Sequence, residues 1–312
     1  MSDYFLKSFW QILLSLIVLV TLISCQHMQA TRSAASTTAP FKKVVLVIFE
    51  NENIDKPLSQ PFFKQLADEG ALLTNYHAIA HPSQPNYIAL TSGDTQGVID
   101  DLTHDLDVQH LGNLLEKKGK TWKLYAENYP GNCFLGAADG RYVRKHTPFI
   151  SYTNVSKTNE CANIVEASQF AVDVNKKDLP DFSFYTPNMD NDTHDTNIVY
   201  GENWFKSTFG PLVGTDYFKN NVLLIVTFDE NECNTVGPQV TQEKLTSCKG
   251  DTNQVYTVFH GYGVIGGSKS NTSYNHYDLL RTIEKGFGLD TLKKQDAHAA
   301  AISGVWSFGD LP

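Results

Sequence analysis

Several stretches of this 312-residue chain set carboxylates, amides, imidazoles and hydroxyls where chemistry could use them. Glu50-Asn51 directly follows an apolar run over residues 43–49, and Asp229-Glu230 directly follows another over 222–228. Between them stand His81-Pro82-Ser83-Gln84-Pro85-Asn86-Tyr87 and the oxygen-rich run Asn188-Met189-Asp190-Asn191-Asp192-Thr193-His194-Asp195, while His276 opens the last amphipathic segment. Two strands that each deliver acids to one edge of a sheet concentrate negative potential, which is costly unless a cation neutralises it. Ser83 falls at the expected N-cap of a helix, where free backbone N–H groups and the positive end of the dipole hold an anion without a basic residue. A serine there, beside a divalent cation, loses its proton and becomes a nucleophile, with the helix amides receiving the transferred group. Oxygen ligation by Glu50, Asp229 and Glu230 points to a hard cation, Ca²⁺, Mg²⁺ or Mn²⁺, whereas histidine participation points to Zn²⁺. Plainer roles compete: Ser83 as a cap alone, Asp195 as N-cap of the helix through Trp204, His276 as a first-turn surface residue, and Tyr185, Trp204 and Phe205 as core. His77 and His81 lie close to the serine, and His104, His110, His146 and His298 read as surface or loop residues.

The elements that must position these groups follow from hydrophobic pattern. The runs 43–49 and 222–228 are unbroken and apolar, as in strands covered on both faces of a parallel sheet. Helices are expected over 61–69, where Gly70 supplies the stop, and over 84–92, 108–118 and 277–287. Further strands are expected over 71–77, 121–126 and 182–185. This alternation predicts a single doubly wound α/β sandwich over residues 41–312, with ligands bound in the crevice outside the carboxyl ends of the strands. Residues 129–177 lack clear periodicity and are expected to form a loop-rich excursion over the active face.

Composition removes some functions. Acidic residues outnumber basic ones 34 to 25, the net charge is −9, and no Lys/Arg block tracks a phosphate backbone, which argues against a nucleic-acid partner. Residues 1–24 read as a signal peptide, since the apolar run 9–23 matches an h-region and is short for a membrane span. The run closes on Leu22-Ile23-Ser24-Cys25, which resembles a lipoprotein cleavage box, and Gln26 is not the Asp that retains such proteins in the inner membrane. The expectation is a cell-envelope protein, lipid-anchored in the outer membrane through Cys25 or periplasmic, with secretion and an uncleaved anchor as alternatives. Residues 25–40, rich in Ala, Ser and Thr, read as a flexible tether. Four cysteines remain in what should be an oxidising compartment, and two disulfides are expected, with Cys133 to Cys161 and Cys233 to Cys248 favoured among three connectivities. The rival, a thiolate metal site, lacks any C-x-x-C pair.

Taken in order, the motifs Val47-Ile48-Phe49-Glu50-Asn51, His81-Pro82-Ser83-Gln84-Pro85-Asn86-Tyr87, the run from Pro187 through Asp195, Thr227-Phe228-Asp229-Glu230 and the segment from Asn275 to Glu284 resemble the phosphoesterase family. That family joins bacterial and fungal acid phosphatases to phospholipase C enzymes within the alkaline-phosphatase-like superfamily. The resemblance implies the same α/β sandwich. It implies Glu50, Asp229 and Glu230 as metal ligands, Ser83 as fourth ligand and nucleophile, and Asn51 as a donor to a phosphoryl oxygen. Asp192, His194 and His276 would form the second half of the site, facing the leaving group or a second metal, and histidines that protonate near pH 5–6 would suit an acid optimum. The motif around Ser83 favours a phosphomonoesterase with a phosphoserine intermediate. A phospholipase C-type phosphodiesterase and a non-catalytic metal-binding surface lipoprotein are the alternatives. Tyr87 stands where a sulfatase core has Arg, and Ser268 stands where a P-loop needs Gly.

Overall fold

The unbroken apolar run Lys43–Phe49 forms strand β1, buried at every position but its first. In the computed structural model, which describes residues 40–232 and 252–311, the other strands are β2 (Ala71–Leu73), β3 (Tyr76–His77), β4 (Trp122–Ala126), β5 (Ala138–Asp139), β6 (Tyr142–Val143), β7 (Ile164–Glu166), β8 (Phe182–Thr186), β9 (Val222–Phe228), β10 (Thr257–Gly261), β11 (Ser268–Ser270) and β12 (Tyr274–Asn275). The expected signal segment, Cys25 and the pairing of Cys233 with Cys248 lie outside the described residues.

Eight strands make the central sheet in the order β11-β2-β10-β9-β1-β8-β4-β7. Every neighbouring pair is parallel except those that β10 makes with β9 and β2. β1 lies at the centre, with Val44 beside Phe182 of β8 and beside Leu223 of β9. These three strands run the same way, so Glu50, the loop after Thr186, and Asp229 emerge at one edge, the edge where open α/β sheets bind ligands.

Helices cover both faces. On one, Phe49, Phe228 and Tyr256 meet Phe63 of helix Pro61–Glu69 and Phe205 of helix Ile198–Val213 in a run of edge-on and stacked rings. On the other, Phe184 faces Tyr87 of helix Ser83–Ser92, and that helix packs against His276–Phe287. This is why all ten residues of Ser83–Ser92 are buried, polar ones included. Glu202 closes the first face: its buried carboxylate accepts the N–H groups of Phe62 and Phe63 at a helix start that has no side-chain cap of its own.

Several boundaries differ from expectation for identifiable reasons. The helix expected from residue 84 starts at Ser83 with Pro82 as N-cap, so Ser83 sits one step inside the helix rather than at its cap. The helix expected from 108 starts at Leu111, because the His110 side chain caps it by accepting the Gly112 N–H. Asn197, not Asp195, caps helix Ile198–Val213, accepting from the N–H groups of Val199 and Tyr200. The strand expected over 71–77 breaks into β2 and β3, and β3 leaves the main sheet to pair with β12. The expected excursion is shorter than 129–177, since Ile164–Glu166 joins the sheet as its edge strand and Ser168–Lys176 is a helix.

Candidate active site

Glu50 is fully buried at the end of β1, and three side chains converge on its carboxylate. Ser83 Oγ donates to Oε2 at 2.9 Å, Tyr87 OH donates to Oε1 at 2.6 Å, and His146 Nε2 stands 3.0 Å from Oε1. The serine hydroxyl also lies 3.4 Å from Glu230 Oε1, whose other oxygen is bonded to His81 Nδ1. The His81-to-Tyr87 motif thereby resolves into separate tasks. His81 engages Glu230, Ser83 presents its hydroxyl, and Tyr87, one helical turn on, holds Glu50. Asn86 ties down the approach to the helix, accepting the N–H groups of Ile79 and Ala80 at 2.9 Å and donating to Ala80 O at 2.8 Å. The His81-Pro82 peptide in that approach is cis.

The loop after β8 is locked to the same point. Glu50 N–H donates to Asp192 O at 2.8 Å, and Thr193 Oγ1 donates to Glu50 O. Behind the loop, Glu127 accepts from Trp204 Nε1 at 2.9 Å, the Asn188 N–H at 3.0 Å and Asn191 Nδ2 at 2.6 Å. Burial raises the Glu127 carboxyl above its ordinary range against these bonds. Asp192 itself is buried at the site, with its Oδ1 accepting the His194 N–H at 2.9 Å. Arg141 draws the loop's outer rim together through Asp190 and Asp195.

His146, expected on the surface, is instead buried in the site at 1 % exposure. Its ring stacks on Tyr87 with centroids 5.1 Å apart, and its nitrogens stand 3.0 Å from Glu50 and 3.3 Å from Asp192 without the alignment of a hydrogen bond. The residue comes from the excursion, whose turn Arg144–His146 and short helix Pro148–Ser151 pack against helix Ser83–Ser92. Cys133 and Cys161 are disulfide-bonded, as expected, and close the excursion's two ends.

His276 has a different setting from the expected one. Its Nδ1 is bonded to Tyr76 OH at 2.9 Å and its Nε2 to Asp229 O at 2.8 Å, and burial pulls its pKa down to about 4. Both nitrogens are occupied, so the ring fixes the backbone at Asp229 and is neutral near pH 5–6. His194 remains partly exposed, with Nδ1 on Asp195 Oδ1 at 2.8 Å and its ring centroid 6.2 Å from that of His146. Asn51 adopts a left-handed φ of 49°, its N–H lies 3.4 Å from Asp229 Oδ1, and its buried Oδ1 has no hydrogen-bond partner.

Four carboxylates, Glu50, Asp192, Asp229 and Glu230, are thus gathered with almost no exposure. Desolvation, then repulsion from Glu50, pushes Asp192 and Asp229 well above the usual carboxylate range, and desolvation lifts Glu230 to about 7 against the pull of His81. Burial drives His146 well below the ordinary histidine value. Among the described residues, no three His, Cys, Asp or Glu side chains stand in a finished coordination geometry. The donor set nonetheless fits a divalent cation. Asp229 Oδ2, Asp192 Oδ2 and both His146 nitrogens are buried without hydrogen-bond partners, a costly state that a cation would relieve.

Residues 56–290 match the model of the phosphoesterase family. The chain belongs to the phosphoesterase family. The chain is 36% identical over 280 residues to a probable acid phosphatase of Kluyveromyces lactis, a match that covers 85% of the chain and 62% of that protein. It therefore spans less than two thirds of that relative's length. It is 33% identical over 281 residues to a phosphatidylinositol-3-phosphatase of Mycobacterium tuberculosis, covering 88% of the chain and 85% of the relative. In fold the chain is similar to an alkaline phosphatase superfamily protein from Vibrio parahaemolyticus, with a TM-score of 0.55 at 14% identity over 83% of the chain and 70% of that structure. The sequence resemblance to this family and the expected α/β sandwich both hold.

Proposed function

We propose that the protein is a phosphoric-ester hydrolase of the acid phosphatase type, cleaving phosphomonoesters through a phosphoserine formed on Ser83. The observation that carries this reading is the buried Ser83 hydroxyl, aimed at Glu50 Oε2 from the first turn of a ten-residue helix at the carboxyl edge of the sheet. The names of the Kluyveromyces and Mycobacterium relatives support it.

In the first step Ser83 Oγ forms a bond to phosphorus as the bond to the leaving alkoxide breaks, and the serine proton passes to Glu50 Oε2, 2.9 Å away. In the second, water attacks the phosphoserine and gives a proton to His194, which had passed its own to the leaving oxygen, the P–Oγ bond breaks, and inorganic phosphate departs while Ser83 regains its proton from Glu50. A divalent cation, held by Glu50, Asp229, Glu230 and Ser83 with Asp192 and His146 beside them, would supply positive charge that favours the serine alkoxide and offsets repulsion between the acids and a phosphate. His194, with Nδ1 fixed by Asp195, is the proton partner we assign to the leaving oxygen. His276 holds the Asp229 backbone in register.

Hydrolysis of p-nitrophenyl phosphate tests the reading. Ser83→Ala should lower kcat by about 10³-fold or more, and chelation should reduce turnover with recovery on adding back a divalent ion. Normal activity in Ser83→Ala would overturn the mechanism, and preferential cleavage of p-nitrophenylphosphorylcholine would replace it with a phospholipase C-type reaction. We also propose export to the cell envelope with lipid attachment at Cys25. Metabolic labelling with palmitate, lost in Cys25→Ala, is the expected result.

A further inference from the structure

We propose that Lys145 contacts the substrate phosphoryl group and sets a preference for dianionic monoesters over monoanionic diesters, and that Asp101 is the residue that positions it. The inference rests on the phosphatase reading above and deepens it.

The turn Arg144–His146 sends three successive side chains in three directions. Arg144, 3 % exposed, anchors the turn: Nη1 donates to Leu135 O at 2.9 Å, and Nη2 donates to His104 O at 2.9 Å and Asp105 Oδ1 at 2.6 Å. His146 goes to Glu50 and Asp192. Lys145 lies between them, with Nζ 2.9 Å from Asp101 Oδ2. The other oxygen of the same carboxylate accepts the N–H of Gln84, the residue after the nucleophile, at 2.9 Å. One carboxylate thus spans an ammonium and an amide that adjoins Ser83. An ammonium has three N–H donors, so Lys145 can reach a phosphoryl oxygen on Ser83 while Asp101 keeps hold of it.

A cavity of about 180 Å³ opens beside this pair, lined among others by Gln84, Asp101, Leu102, Val143 and Lys145. Arg141 and Arg144 are engaged with Asp190, Asp195 and Asp105, and Lys145 is paired with Asp101, the carboxylate that also takes the Gln84 N–H beside the nucleophile. A phosphomonoester carries close to two charges at neutral pH, its second pKa being about 6, and a diester carries one. An added ammonium therefore favours the monoester, whose extra negative charge lies on a non-bridging oxygen.

The test compares kcat/KM for p-nitrophenyl phosphate and bis(p-nitrophenyl) phosphate in wild type, Lys145→Gln, Lys145→Arg and Asp101→Asn, with the inhibition constant for inorganic phosphate as a second readout. Lys145→Gln should lower monoester kcat/KM about 100-fold and diester kcat/KM no more than about 5-fold, and should weaken phosphate inhibition about 10-fold or more. Lys145→Arg, which keeps the charge, should restore most of the preference. Asp101→Asn, which keeps an acceptor for the Gln84 N–H, should lower the preference severalfold through the monoester KM. Equal losses on both substrates with unchanged phosphate inhibition would overturn the role of Lys145 while leaving the phosphatase standing. Inactive wild type, or active Ser83→Ala, would remove the phosphatase reading and this inference together.

Discussion

At the scale of single residues, His146 is what turns a row of acids into an enclosed site. Its ring is stacked flat on Tyr87, and its two nitrogens reach toward Glu50 and Asp192, acids from different loops. Replacing it with Ala removes both the stack and the neutral donor set between the carboxylates. His146→Ala should lower kcat on p-nitrophenyl phosphate by about 10²-fold with the fold retained, checked by steady-state kinetics beside circular dichroism. His146→Asn, which keeps a polar atom near Glu50, should lose less. Ser83, Glu50, Asp229 and Glu230 were legible in the sequence because each stands at the end of an apolar run or the head of a helix, where local pattern fixes which edge of the sheet a side chain reaches. His146 was not. It lies in a stretch without periodicity and reaches the site only because Arg144 and the packing of Pro148–Ser151 fold that stretch back over the helix. A signal existed in Arg144-Lys145-His146, three basic residues in an acidic chain, but a run of charge is usually a solvated face. His276 shows the converse. Its position in a recognisable motif was legible, but its two hydrogen bonds and its neutral state depend on Tyr76 and Asp229, which only the tertiary fold brings near.

At the scale of elements, β1 and β9 were readable because a strand buried on both faces is an unbroken apolar run, and β8 because Phe182, Phe184 and Tyr185 crowd a short segment despite Ser183. β10 was harder, since Thr257–Gly261 is short and runs against its neighbours, and no local feature announces strand direction. The excursion brings His146 to the candidate site without belonging to the main sheet, and the Cys133 to Cys161 bond closes a segment with a sequence separation of 28 that contains Lys145 and His146. Closing a loop of that length stabilises by about 3–4 kcal/mol in the chain-entropy account. A Cys133→Ser, Cys161→Ser double variant should therefore melt at lower temperature. It should also lose kcat more steeply with rising temperature than wild type, because the excursion carries His146 whereas Ser83 is held separately, on the helix Ser83–Ser92 packed against the sheet. Thermal melts and activity measured on the same samples separate the two effects. A lower melting temperature with an unchanged kcat profile would mean that the packing of Pro148–Ser151 holds the site unaided.

At the scale of the whole molecule, the acidic balance seen in composition reappears as acids enclosed in the interior, and not all of them serve the site. Glu284, at the far end of the motif that opens with Asn275, is fully buried in helix His276–Phe287. Its Oε2 accepts from Arg281 Nη1 at 3.1 Å, and its Oε1 has no hydrogen-bond partner. Burial, then repulsion from Asp296, raises its pKa from 4.5 to about 8. The folded state thus holds a proton that the unfolded chain releases. The stability this gives is fully present below about pH 4.5 and is lost as pH rises through about 8. The protein should accordingly be more stable at pH 5 than at pH 8.5. Glu284→Gln, which keeps the shape and removes the titration, should match wild type at pH 5 and exceed it at pH 8.5. Allowing for the lost pairing with Arg281, the gain should be on the order of 1–2 kcal/mol, or about 2–8 °C in Tm for a domain of this size. Melts run in chelator at both pH values keep the site carboxylates equivalent in the two proteins, so the difference between them reports Glu284 alone. If the two profiles stay parallel, Glu284 is ionised against Arg281 across the range, and the pH dependence of the fold must come from the carboxylates gathered around Ser83.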